Sequence, residues 1–141
     1  MSAQENAALA RRVYDAFNSR DYQAALALAS DDVELLIVPF NQRFRGKDGF
    51  DQFMRAFVLG FSDISVSLTN QVAGEDQVVS EFIARGTHDG ELQAPSGPIA
   101  ATGCIVEYPV IEVWRVRDGR LATLFNYFDS ATLLRQLGCR T

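Results

Sequence analysis

Hydrophobic spacing divides the chain into a helical front and a strand-rich back. Residues 5–20, ENAALARRVYDAFNSR, set Leu9, Val13, Ala16 and Phe17 at helical intervals with charges on the other side, the pattern of a helix with one buried face. Asp21 is placed to cap a short second helix, YQAALALA, because its carboxylate can accept from a free backbone N–H of the first turn. DDVELLIVPF is apolar and β-branched and stops at Pro39, so it reads as a strand, and NQRFRG after it reads as a loop. Residues 47–60 put Phe50, Phe53, Met54 and Phe57 on one face of a third helix. Four strands follow: ISVSLTNQVA, QVVSEFIARGTH, GCIVEYPVIEVWRV and RLATLFNYF. DSATLLRQLG closes the pattern as a short helix, with Asp129 or Ser130 near its N-cap and Gly138 as its stop. Runs of unlike elements predict an α+β fold with an antiparallel sheet. Curved around three to four helices, such a sheet makes a cone whose interior is either core or pocket. No repeat or low-complexity linker interrupts residues 1–141, which predicts a single domain.

The turn RDGR gives a register that can be counted, since Asp-Gly suits the positive φ values of a type I′ turn. With Asp118 and Gly119 at the turn, Arg117 opposes Arg120, Trp114 opposes Thr123, Glu112 opposes Phe125, Val110 opposes Tyr127, and Tyr108 opposes Asp129. Paired residues share a face. One face then collects Tyr108, Val110, Glu112 and Trp114 with Phe125, Tyr127 and Asp129. The other carries Ile111, Val113, Arg115, Leu124, Asn126 and Phe128; its Ile111, Val113, Leu124 and Phe128 are too apolar to leave in water and predict a homodimer packed through the sheet.

Composition narrows the chemistry. The net charge of -5 leaves no basic face for nucleic acid or an anionic membrane surface, and no apolar run is long enough to cross a bilayer. The ten phenylalanines supply area for a core or a pocket wall. Cys104 and Cys139 lack metal-ligand spacing. A reduced cytoplasmic protein is the simplest reading, with a single disulfide left open. MSAQENAALA lacks the basic and apolar regions of a signal peptide. No P-loop, GxGxxG, GxSxG or HExxH string occurs, and one histidine with two distant cysteines predicts no metal site.

Acid/base groups remain. Glu112 and Asp129 sit among large aromatics on the counted face, where desolvation raises a carboxyl pKa into the useful range. The alternatives are a Glu112–Arg85 ion pair and an Asp129 that only caps the last helix. His88 ends a strand before the Pro- and Gly-rich stretch at residues 87–103, THDGELQAPSGPIAATG. It reads either as a proton-transfer group or as a structural tie for that stretch. The prolines and glycines stiffen and turn the segment, which predicts a rim over a site rather than a linker. Tyr14 flanks the apolar stripe of the first helix, either as a core residue or as a donor into the cone. Tyr14, Phe53, Phe57, Trp114 and Tyr127 are the expected pocket walls.

Three strings, YDAFNSRDYQAALALASDDV, GTHDGELQAPSGPIAATG and VWRVRDGRLATLFNYFDSATLLRQLG, resemble the SnoaL-like polyketide cyclases and ester cyclases of the nuclear transport factor two-like superfamily. The resemblance spans nearly the whole chain. It implies a cone of curved antiparallel sheet, dimerised through sheets, and an aspartate acting as general acid/base in an intramolecular aldol ring closure without metal or cofactor. Asp129 matches that aspartate. Where the family's cyclases carry a histidine on the preceding strand, this chain offers Glu112, Trp114 and Arg115. In a comparison with ketosteroid isomerase, Glu112 falls on an oxyanion-hole aspartate and Tyr14 lies near its helix tyrosine, while Ile37 takes the place of its base. In a comparison with limonene epoxide hydrolase, Asp129 again matches an acidic residue, and Phe82 and Ala84 replace its arginine and second aspartate. The expectation is a cofactor-free acid/base enzyme acting on a small apolar oxygenated molecule of polyketide, terpenoid or aromatic type. Asp129 would be the main acid/base, with Glu112 and His88 assisting. The alternative is a non-catalytic ligand-binding or association domain of the same fold.

Overall fold

The computed structural model describes residues 2–138; Cys139, and with it any pairing to Cys104, lies outside them. Helix α1 (Ala3–Asn18) starts at a reciprocal cap. The Ser2 hydroxyl accepts from the Glu5 N–H, and the Glu5 carboxylate accepts from the Ser2 N–H. Asp21 caps the short α2 (Tyr22–Leu26) through the Ala24 N–H. Strand β1 (Ala29–Ile37) ends in a single 3₁₀ turn at Val38–Phe40. β2 (Gln42–Arg45) then pairs back on β1. The stretch expected as a loop is therefore an edge strand, and its polar look follows from that position: Arg43 and Arg45 are exposed, Gln42 and Phe44 are half-buried, and the Phe44 ring meets Phe53. Helix α3 (Gly46–Gly60) follows, with Phe50, Phe53 and Met54 buried.

The remaining elements are β3 (Ser65–Ala73), β4 (Gln77–Thr87), a small hairpin of β5 (Leu92–Ala94) and β6 (Gly97–Ile99), β7 (Ile105–Arg117), β8 (Arg120–Phe128) and α4 (Ser130–Gln136). Six strands form one curved sheet in the order β2-β1-β8-β7-β4-β3, antiparallel except at the β1–β8 junction. Helix α1 lies on β3 and β4, and α3 on β1 and β2. One apolar cluster fills the space between helices and sheet, with Leu9, Val13, Phe50, Met54, Trp114 and Leu124 among its buried members.

Asp118 and Gly119 take the positive φ values expected of the turn, 52° and 73°, and Arg117 pairs with Arg120. The counted register holds through the next pair, Val116 with Leu121, and then fails. Arg115 pairs with Thr123, so Ala122 is an extra residue on β8. Leu121 and Leu124 are both buried although three positions apart, and simple alternation cannot bury both. The bulge resolves the conflict and reverses every later β8 side chain. Leu124, Asn126 and Phe128 turn inward beside Glu112 and Trp114, while Phe125 and Tyr127 turn outward. Tyr127, expected in the pocket, is 44% exposed on the outer face, and Leu124 and Phe128, expected on the dimer face, belong to the interior.

Candidate functional site

The cone's interior is a pocket as well as a core. Between α1, α3 and the inner face of β4, β7 and β8 lies a cavity of about 60 Å³ that opens to solvent. Aromatic rings wall it: Phe50, Phe53 and Phe57 from α3, Phe82 from β4, and Trp114 from β7. Among the described residues that line it, Glu112 is the one carboxyl.

Glu112 is 5% exposed. The Tyr14 hydroxyl donates to its Oε1 at 3.0 Å, and the Asn126 amide donates to its Oε2 at 2.7 Å. The Trp114 indole N–H donates in turn to the Tyr14 oxygen at 3.2 Å, so a chain of donors runs into the carboxyl. Burial pushes the Glu112 carboxyl up from 4.5 to about 7, even though the hydrogen bonds from Asn126 and Tyr14 pull the other way. The Tyr14 phenol is driven well above its ordinary value, first by burial and then by the Glu112 charge, so it keeps its proton. The alternative ion pair to Arg85 does not form. Arg85 bridges to Glu107 at 2.7 Å on the outer face.

Of the other expected site residues, Tyr14, Phe53, Phe57 and Trp114 line the cavity. Asp129 does not. It is the N-cap of α4, where its carboxylate accepts from the backbone N–H of Thr132 at 3.1 Å and from the Thr132 hydroxyl at 2.7 Å. Those bonds hold its pKa below the ordinary carboxylate value. The bulge at Ala122 is the reason for the miscount, since it shifts the whole of β8 by one residue.

His88 is fully buried, but it too stands outside the cavity lining. Its Nδ1 accepts from the Thr102 backbone N–H at 3.2 Å and lies 2.9 Å from the Thr102 hydroxyl, and its ring packs on Phe61. A backbone donor on Nδ1 assigns the proton to Nε2. The histidine therefore ties residues 87–104 together. That stretch is an ordered clasp, not a linker: Gly90 N–H bonds to the Gly60 carbonyl at the end of α3, and Leu92 is buried. None of residues 89–102 lines the cavity, so the clasp does not form its rim.

Two polar cavity residues escaped the sequence reading. Asn126 was counted onto the wrong face. Tyr108 was placed on the correct face but not singled out. Among the described residues no group of three or more His, Cys, Asp or Glu side chains is arranged to hold a metal, and no helix is long and apolar enough to cross a membrane.

The model of the SnoaL-like polyketide cyclase family matches residues 7–137. No curated protein matches the chain. Several solved structures do. A provisionally assigned polyketide cyclase from Pseudomonas putida is 28% identical, with 96% of this chain and 98% of that one covered and a TM-score of 0.76. IdmH from Streptomyces antibioticus, also provisionally assigned as a polyketide cyclase, is 26% identical, with 94% and 98% covered and a TM-score of 0.78. A provisionally assigned SnoaL-like polyketide cyclase from Jannaschia sp. CCS1 is 17% identical, with 99% and 95% covered and a TM-score of 0.87, a likeness of fold. The match over residues 7–137 places the chain in the SnoaL-like polyketide cyclase family.

Proposed function

We propose that the protein is a cofactor-free acid/base catalyst for a small apolar oxygenated molecule and that Glu112, not Asp129, exchanges the proton. One observation carries this reading: the one carboxyl among the described residues of an open, aromatic-walled cavity has its pKa raised to about 7 by burial. Such a group is about half ionised at neutral pH and can both take and return a proton. On a ketone it would remove a proton from the carbon beside the carbonyl. In a ring closure, the carbanion would attack a second carbonyl of the same molecule, a carbon–carbon bond would form, and the proton would pass from Glu112 to the new alkoxide. Tyr14 and Asn126 fix the orientation of the carboxylate, and Trp114 fixes Tyr14. Family membership and the provisional assignment of IdmH support cyclase chemistry.

A second reading has its own support. Both Glu112 oxygens already accept bonds from the chain's own side chains, as in a non-catalytic binding domain. Proton exchange separates the two without knowledge of the substrate. 2-Tetralone in deuterium oxide, followed by proton NMR, should lose its α-hydrogens faster with the protein than in buffer, and the gain should vanish in Glu112→Gln. Tetralone binding with no faster exchange would favour the binding domain.

A second copy of the chain is the partner this reading calls for. The outer sheet face carries an apolar row in register across five strands: Leu36, Phe125, Val113, Val79 and Val72. Beside it stand Ile111, 42% exposed, and Tyr127. Packing this face on its twofold copy would remove it from water.

A further inference from the structure

The phenol of Tyr108 is unused by the chemistry proposed for Glu112. Tyr108 lines the cavity, is 2% exposed, and packs its ring against Phe128. Its hydroxyl makes no hydrogen bond to any described residue, in contrast to Tyr14, which both donates and accepts. The Tyr108 hydroxyl is not one of the fully buried polar atoms that lack a partner, a group that includes Asn126 Oδ1 on the same cavity, so it stands where the contents of the cavity can reach it. Burial raises the Tyr108 pKa far above its ordinary value, so the hydroxyl is present as a donor. Across the sheet its register partner is Ala84, the smallest side chain of the cavity wall, which leaves room beside the phenol.

Tyr108 and Glu112 stand on the same face of β7, four residues apart, and their backbones are about 13 Å apart at the usual rise per strand residue. One small polar group cannot meet both. The space between is apolar, with Val110 on the strand and Phe82 opposite it. We infer that Tyr108 is a second polar anchor, which donates to a carbonyl oxygen at the end of the ligand remote from Glu112. The preferred ligand is then an extended apolar molecule with an oxygen function at each end. This rests on the reading of Glu112 as the group that meets the ligand at the near end, and it adds a substrate class to that reading.

The test uses two fluorescent probes, 6-acetyl-2-naphthol with a phenol at one end and a ketone at the other, and 2-naphthol with the phenol alone. Each is titrated into the wild-type protein, Tyr108→Phe and Glu112→Gln. The wild type should bind 6-acetyl-2-naphthol more tightly than 2-naphthol. Tyr108→Phe should weaken the two-ended probe roughly 3- to 10-fold, the worth of one hydrogen bond, and leave 2-naphthol unchanged. Glu112→Gln should weaken both. Equal losses for the two probes in Tyr108→Phe, or no loss, would overturn the anchor. So would failure of the wild type to bind or to prefer the two-ended probe. If Tyr108→Phe is selective but Glu112→Gln changes neither probe, the anchor stands and the role of Glu112 falls.

Discussion

Replacing Glu112 by glutamine should change how stability depends on pH. In the unfolded chain this carboxyl titrates near 4.5, and in the folded protein burial holds it up to about 7. Between those values the native state binds the proton and the unfolded state has released it, so stability falls as pH rises. The contribution is complete below pH 4.5, declines through the window, and is level above 7. Its full size is about 3 kcal/mol, at 1.36 kcal/mol for each tenfold change in proton affinity. Glutamine is neutral throughout; its amide oxygen can keep the bond from Tyr14, and its NH2 can donate to the Asn126 carbonyl oxygen once that amide turns over. Relative to the wild type, the variant should therefore gain up to about 3 kcal/mol between pH 4.5 and 8. Urea unfolding at fixed protein concentration measures this. The single tryptophan, Trp114, is 1% exposed and serves as the probe. If the wild-type and variant stabilities run parallel across this range, Glu112 titrates like an exposed glutamate and the argument from burial is wrong.

Three further outcomes follow from placements in the fold. Asp129→Ala removes the α4 cap and nothing in the cavity, so it should lower the melting temperature by only a few degrees and leave probe binding unchanged; lost binding would return Asp129 to the site. Gly90→Ala drives a Cβ into the Leu59 carbonyl oxygen, so the clasp must shift at a cost of about 1–3 kcal/mol. Thermal unfolding should show that loss, while a melting point equal to wild type would mean the clasp does not close on α3. Ile111→Arg places a charge in the middle of the apolar outer face and should turn a sedimenting dimer into a monomer; a monomeric wild type at micromolar concentration would refute the sheet dimer.

The sequence revealed much of this architecture because most elements have a single dominant pattern. The phenylalanines of α3 and the strict alternation of β7 fix which side faces in, and that parity alone puts Glu112 and Trp114 in the cavity. The short elements β2, β5 and β6 carry too few residues to show a period. The larger failure came at one residue. RLATLFNYF supports two alternations, one through Leu121 and one through Leu124, and a strict count must choose between them. The chain keeps both leucines buried by bulging at Ala122. The odd spacing of those leucines was the available signal. Missing it brought Tyr127 and Asp129 inward and turned Asn126 outward. For His88 the strand end was legible, but its contacts with Thr102 depend on the path of residues 89–102, which no short-range pattern fixes.

The titration of the Glu112 carboxyl itself tests the central claim most directly. Carbon-13 NMR of protein labelled at the glutamate side-chain carboxyl, assigned by comparison with Glu112→Gln, follows that one group from pH 3 to 9. The account predicts a midpoint near 7, apart from the other glutamates, moving when 6-acetyl-2-naphthol fills the cavity. A midpoint near 4.5, unmoved by the probe, would contradict it.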